Sequence, residues 1–444
     1  MKTDKLLLYG NLSEDVIIEN ITGLYEMSRN ELEADVKDEE IAALASQTVG
    51  ELIKVGVEHG FEGNLLHAYI AYSLVNDENA FSTSMERKRE LSGTLNEIAL
   101  HDFEIIKTLF DIDLKELDRV SSVTAFSLIE DFKPDNGEGK TFNKRIRDRI
   151  CELAVKLSGA REPREFLQIM TEFYGDFGVG KFGLHKAFRI SVDSDDKVSV
   201  DPITRVKHIY LEDLVGYESQ KKKLTDNTEA FLAGRPANNV LLFGDAGTGK
   251  SSCIKGILNR YYDDGLRIIE IFKHQFRYLN AVISQIKDRN YKFIIYMDDL
   301  SFEDQEIEYK YLKAVIEGGL EKQPGNILIY ATSNRRHLIH EGFADKLDRG
   351  ENDDIHESDT VQEKLSLSAR FGVTIYFGRP DKKEFNNIVK VLGERVKTGI
   401  DEDELIYLAN QWELSHGGLS GRTAAQFIDH IMGTYNLKGG NGGK

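Results

Sequence analysis

The chain has 444 residues, 41% of them apolar and 30% charged, with a formal net charge of −18; this length favours several domains, and this balance excludes a disordered chain or a fibre. So acidic a protein lacks the broad basic coat that nucleic acid requires, although a local basic strip such as Lys221–Lys223 or Lys273–Arg289 is compatible with it. Its two cysteines, Cys151 and Cys253, exclude a disulfide framework or a Cys-rich zinc site and point to a reducing, cytoplasmic compartment.

The acid is unevenly spread. Residues 1–200 hold 24 Lys and Arg against 38 Asp and Glu, whereas residues 201–444 hold 33 against 37. Met1–Leu8 is too short an apolar run for a signal-peptide core, and no stretch reaches the roughly 18 apolar residues of a membrane span. A soluble protein without a membrane partner is expected.

In chain order, three sets of apolar residues recur at helix-face intervals: Ile41, Leu44, Leu52, Ile53 and Val57; Ile98, Leu100, Phe103, Ile106 and Leu109; and Ile150, Leu153, Ala154 and Leu157. Residues 1–165 are therefore predicted to form a mostly helical, acidic domain whose stripes pack its own core. Residues 166–204, with Gly175, Gly178, Gly180 and Gly183 followed by the polar run Ser191–Val200, are predicted to be a Gly-rich and polar connector. Gly175–Phe182 fits the frame of a phosphate loop, but Phe182 stands where Ser or Thr is needed to ligate Mg²⁺. A glycine-permitted turn is expected there.

From Leu211 strands and helices alternate. Val240–Phe243 reads as a buried parallel strand and runs into a complete GxxxxGK[ST] motif, Gly244, Asp245, Ala246, Gly247, Thr248, Gly249, Lys250 and Ser251, with a helix predicted over Ser252–Tyr261. Gly247 and Gly249 open backbone angles that turn successive N–H groups onto phosphate oxygens, and the helix N-terminus adds its positive end. Lys250 can reach the β- and γ-phosphates, and Ser251 offers a hydroxyl to Mg²⁺. Further strands are predicted at Leu266–Ile271 and at Phe293–Met297, the second ending in Asp298 and Asp299. An apolar strand closing in carboxylates about fifty residues after a phosphate loop supplies the anionic partner of Mg²⁺: Asp298 would hold the ion and Asp299 polarise the attacking water. His337 and His340 have metal-compatible spacing but no third ligand nearby in sequence, and Cys253 reads as a small buried residue. Neither NKxD nor LSGGQ occurs, which disfavours a GTPase or an ABC-type ATPase.

The remaining pieces follow in a telling order. Ile327–Thr332 ends in Ser333, Asn334, Arg335 and Arg336; Leu365–Gly372 carries Arg370 ahead of a last strand, Val373–Phe377; Gly418–Ala425 carries Arg422; and Leu214, Val215, Gly216 and Tyr217 lie upstream. This order resembles the AAA+ ATPase superfamily. The resemblance implies that Asn334 is the first sensor, Arg370 a finger supplied to a neighbouring subunit, Arg422 the lid's contact to the γ-phosphate, and Val215 and Gly216, with Gly244–Ser252, nucleotide-binding residues. More narrowly, Gly175–Phe188, Asp298–Glu303, Leu312–Glu321, Ser333–His337 and Glu363–Gly372 are similar to the bacterial DUF815 family of predicted ATPases.

The expected fold is thus an α/β P-loop NTPase, an AAA+ core with a parallel sheet at 205–380 and a small helical lid at 381–436, preceded by the helical domain and followed by a disordered Gly-rich tail at 437–444. The expected cofactors are ATP and Mg²⁺, with Ser251 and Asp298 as metal ligands. The expected activity is ATP hydrolysis by a homo-oligomer, coupled to remodelling of a protein partner through the N-terminal domain. Alternatives are a DNA-associated ATPase of initiator or clamp-loader type and a slow ATP-dependent switch. Two departures from the AAA+ pattern bear on this. Asp299 replaces the usual Glu, so turnover is expected to be slow or to draw on Glu303. The segment Phe276–Asn280, at the place of a substrate-threading loop, lacks its glycine.

Overall fold

The computed structural model describes residues 3–29, 38–88, 93–134, 144–204, 206–302, 306–317, 324–334 and 367–439. The chain separates into two compact units, Met1–His185 and Lys186–Lys444.

In the first unit, α1 (Val16–Ser28), α2 (Asp38–His59), α3 (Leu65–Asn76), α4 (Ala80–Lys88), α5 (Thr94–Phe110), α6 (Leu114–Ser121), α7 (Lys144–Gly159) and α8 (Pro163–Phe177) enclose one apolar core. Ile18, Leu66, Phe103, Phe166 and Tyr174 are fully buried in it. One buried carboxylate, Asp102, accepts the N–H groups of Leu7, Leu8 and Tyr9 and so ties the N-terminal turn to α5. The Tyr9 and Tyr174 hydroxyls meet at 3.1 Å, and Tyr174 donates to the Leu74 carbonyl at 2.7 Å.

The predicted connector is a different object. Residues 166–177 continue α8, because Phe166, Met170, Phe173 and Tyr174 repeat at helical spacing and are buried. Gly175 lies in the last turn of that helix, Gly178 (φ 75°) ends it, and Phe182 is buried. No strand enters this glycine cluster, which is a helix end rather than a phosphate loop. Residues 187–202 form a hairpin, β1 (Ala187–Val192) and β2 (Val198–Pro202), that belongs to the sheet of the second unit. Phe188, Ile190 and Val200 point inward while Arg189, Ser191 and Asp201 stay exposed, the alternation of a sheet margin.

Among the described residues that sheet has seven strands in the order β2-β1-β4-β5-β6-β3-β7, adding β3 (Val240–Gly244), β4 (Leu266–Glu270), β5 (Lys292–Met297), β6 (Ile327–Ser333) and β7 (Val373–Phe377). Among the described residues only β1 and β2 pair antiparallel in this sheet; every other pairing in it is parallel. β3 lies between β6 and β7, with Leu242 opposite Thr332 on one side and Ile375 on the other. The C-terminal ends of β3, β5 and β6 therefore open together, where open α/β sheets bind ligands. The strands are crossed by α9 (Glu218–Leu232), α10 (Lys250–Tyr261), α11 (Leu279–Ile286) and α12 (Glu308–Glu317).

Three helices follow the sheet: α13 (Lys382–Val396), α14 (Glu402–Ser415) and α15 (Gly421–Gly439). They share a small core of Phe385, Val389, Leu405, Ala409, Phe427 and Ile428. Asp381 caps α13 reciprocally with Glu384. The side chain of Trp412 is stacked on His416 at 3.7 Å and on His430 at 4.5 Å. α15 runs through Gly439, three residues beyond the expected end of the lid. Among the described residues no helix is long and apolar enough to cross a membrane.

Candidate functional site

A cavity of about 650 Å³ opens at the C-terminal edge of the sheet. One end of it is formed by the loop between β3 and α10. Gly244 (φ 132°) runs so close to β7 that a Cβ there would sit 2.1 Å from the Phe377 carbonyl oxygen. Asp245 continues this contact, its N–H donating to the same carbonyl at 3.0 Å while its carboxylate accepts the Arg379 N–H at 3.1 Å. Gly247 (φ 77°) and Gly249 (φ 96°) then take the left-handed conformation that bends the chain into α10. Ala246 through Ser252 all line the cavity.

Lys250 is buried, and its ammonium donates to the carbonyls of Gly244 (2.9 Å) and Asp245 (2.6 Å) and to Asn334 Oδ1 (3.0 Å). Burial lowers its pKa, and the neighbouring Asp245, Asp299 and Asp298 carboxylates only partly oppose this. Ser251 Oγ donates to Asp298 Oδ1 at 2.7 Å, and Thr332 Oγ1 donates to the same oxygen at 2.6 Å. Desolvation by the cavity walls would raise the Asp298 pKa, but the Thr332, Tyr296 and Ser251 hydroxyls, with the Lys255 charge, outweigh it and hold the carboxyl below the usual aspartate range. Asp299 (φ 52°) turns away from the strand, donates its N–H to Thr332 Oγ1 at 3.0 Å, and accepts Asn334 Nδ2 at 2.7 Å. Asn334 thus bridges Lys250 and Asp299. The donor set of Ser251, Thr332 and Asp298 consists of oxygens alone, chemistry that suits a hard divalent cation such as Mg²⁺.

At the other end Leu214, Val215 and Tyr217 line an apolar slot together with Ile388 and Leu392 of α13. Gly216 (φ 81°) and Tyr217 (φ 60°) make the turn into α9, and the Tyr217 hydroxyl donates to the Gly378 carbonyl at 2.8 Å. Gly216 itself faces an adjoining cavity. From the lid, Arg422 lines the site and donates its backbone N–H to the Gly247 carbonyl at 3.1 Å. Arg370 stands apart, absent from the cavity lining and ion-paired to Glu317 at 2.5 Å. Glu303, Arg335, Arg336, His337 and His340 lie outside the described residues.

Residues 183–435, more than half of the chain, match the family described as protein of unknown function (DUF815). The chain belongs to the DUF815 family. A chaperone protein ClpB from Propionibacterium freudenreichii subsp. shermanii is 23% identical over 249 residues, which are 51% of this chain and 26% of that one. This DUF815 protein thus spans about a quarter of that relative's length. Among solved structures, the Thermotoga maritima RuvB Holliday junction branch migration motor is 15% identical, with 53% of this chain and 67% of that one covered at a TM-score of 0.36. The FIGL-1 AAA domain in complex with ADP is 18% identical, with 56% and 77% covered at a TM-score of 0.36. In this DUF815 core, β3, the strand that leads into the Gly244–Ser251 loop, lies between β6 and β7 of a mostly parallel sheet flanked by helices, and three helices follow β7.

Sequence reasoning missed several groups at this DUF815 site. Thr332 was visible only as the last apolar-strand residue. Lys207 lines the cavity from a segment without regular structure. Lys221, read as part of a basic strip, is buried and bound to the Leu214 carbonyl at 2.7 Å. Lys222 pairs with Asp226, Lys273 with Glu306 and Arg277 with Asp196, so much of both strips is neutralised within the chain. Phe276 and Tyr278 are buried, which turns the aromatics of the Phe276–Asn280 segment inward. Cys253 is buried as well, and burial pushes its thiol up to about 12.

Proposed function

We propose that this chain binds Mg²⁺–ATP between the phosphate loop and the lid and hydrolyses it to ADP and phosphate. The observation that carries the reading is the hydrogen-bonded chain from Lys250 through Asn334 to Asp299, next to the Ser251–Asp298–Thr332 cluster, in one cavity with Arg422. The N–H groups of Gly247 to Ser251 receive the phosphate oxygens, and Lys250 turns its charge to the β- and γ-phosphates. Ser251 and Asp298 hold Mg²⁺, which when bound neutralises charge on the phosphate oxygens. Asp299 accepts the proton of the attacking water as the γ-phosphorus–oxygen bond to ADP breaks. Asn334 orients that water, and Arg422 brings the lid onto the γ-phosphate. The apolar slot of Leu214, Val215, Ile388 and Leu392 takes the base. Arg370 serves the site of a neighbouring subunit in a homo-oligomer.

Lys250→Ala tests the reading directly. It is expected to abolish nucleotide binding or turnover; Mg²⁺-dependent ATPase activity equal to wild type would refute it.

Two couplings of this ATPase are distinguished by experiment. One is remodelling of a protein partner held by the helical unit. The other, in keeping with the printed description of RuvB, is action on DNA. An Asp299→Asn chain held in ATP is the trap for either. Recovery of a reproducible protein supports the first, and salt-sensitive DNA binding supports the second.

A further inference from the structure

The segment that walls the base slot is a thin partition. Leu214 and Val215 face the nucleotide cavity on one side and, on the other, a second cavity of about 660 Å³ lined by Lys221, Arg260, Asn387 and Arg395. Behind the partition three successive backbone carbonyls are taken by two cations. Arg395 donates to Glu212 O at 3.0 Å and to Asp213 O at 2.6 Å, and Lys221 donates to Leu214 O at 2.7 Å. The preceding residue, Leu211, is wedged against α10, where a Cβ on Gly256 would lie 3.0 Å from its side chain.

The two cations come from different bodies. Lys221 belongs to α9 of the core, whereas Arg395 belongs to α13 of the lid. On α13 Arg395 follows Ile388 and Leu392 at i, i+4 and i+7, so all three share one face of the helix. One lid helix therefore supplies the far wall of the base slot and, one turn on, grips the near wall from behind.

We propose that Arg395 is a specificity-determining positioning residue that sets the separation and register of the two walls around the nucleotide base. The inference rests on the nucleotide-binding reading above and concerns only its base end. With Arg395 in place, a lid movement carries the near wall with it and the slot keeps its width. Without it, Glu212 O and Asp213 O return to water, the partition relaxes about Lys221, and the base loses its fit. The phosphate end, built from the β3–α10 loop, is untouched.

The test compares two probes on the full-length chain, ADP and inorganic tripolyphosphate, by competition with a fluorescent nucleotide. Arg395→Met keeps the apolar stem and removes both hydrogen bonds. It is expected to weaken ADP about tenfold, or ~1.4 kcal/mol, with tripolyphosphate affinity unchanged. The KM for ATP rises by a similar factor while kcat changes less than about twofold. Arg395→Lys, which can reach one carbonyl, recovers part of the ADP affinity. Unchanged ADP affinity in Arg395→Met, or equal weakening of both probes, overturns the proposal. A wild-type chain that binds neither probe overturns the nucleotide-binding reading itself.

Discussion

Asp298 carries two hydroxyl donors on a single oxygen, and this has a consequence for acid stability. A carboxyl held below its ordinary value of 3.8 stabilises the fold fully above that value and loses this contribution as pH falls toward the lowered folded-state pKa. Asp298→Asn removes the charge but keeps the shape. At neutral pH the variant is expected to be less stable than wild type, and the gap should close as pH drops below about 4. Urea unfolding at both pH values decides it: a gap that stays constant across this range would show that the carboxylate is not held by Ser251 and Thr332. Asp299 illustrates a second residue-scale point. Its carboxylate sits on a backbone in the left-handed region at φ 52° and is secured by the Asn334 side-chain amide.

At the scale of elements, the β3–α10 loop depends on a close backbone contact as well as on the Lys250 side chain. Gly244→Ala would push a Cβ into the Phe377 carbonyl and hold a non-glycine residue at φ 132°. A loss of about 2 kcal/mol or more in unfolding free energy is expected, with nucleotide binding lost as well. A variant that melts with wild type would contradict the close approach of β3 and β7. Elements buried on both faces were legible in the sequence: β3, β5 and β6 each read as apolar runs because parallel strands inside the sheet are covered from both sides, whereas β7, at the sheet edge with Thr374 and Tyr376 exposed, was placed only by the order of the pieces around it. The β1–β2 hairpin was illegible for the converse reason. Arg189, Ser191 and Asp201 face solvent, and their polarity makes a marginal strand look like a linker. At the site, Lys250, Ser251 and Asp298 announce themselves by motif, whereas Thr332 and Arg395 act through contacts to residues far off in the chain. No local spacing encodes those contacts.

For the whole molecule, the position of Arg370 matters most. Within one chain it is spent on Glu317 and takes no part in its own cavity lining. If it completes a neighbour's site, Arg370→Ala should retain ATP binding and lose turnover, by the roughly 10³-fold or more that a phosphoryl-transfer arginine supplies. Mixing this variant with Lys250→Ala should then restore activity at hybrid interfaces. Confirmed mixed oligomers without recovered ATPase would assign Arg370 to the Glu317 ion pair alone. The acidity is likewise a property of one part: the 24 basic and 38 acidic residues of 1–200 place most of the net charge on and around the helical unit, and leave the nucleotide core nearly neutral.

The stack of Trp412 between α14 and α15 has an optical consequence. It is the sole tryptophan of the chain, and it sits in the lid with His416 and His430 against its ring. Light absorbed near 295 nm therefore reports on the lid and on nothing else. Any ligand that shifts α14 against α15 will change the emission of the unlabelled protein, so the lid carries its own spectroscopic gauge.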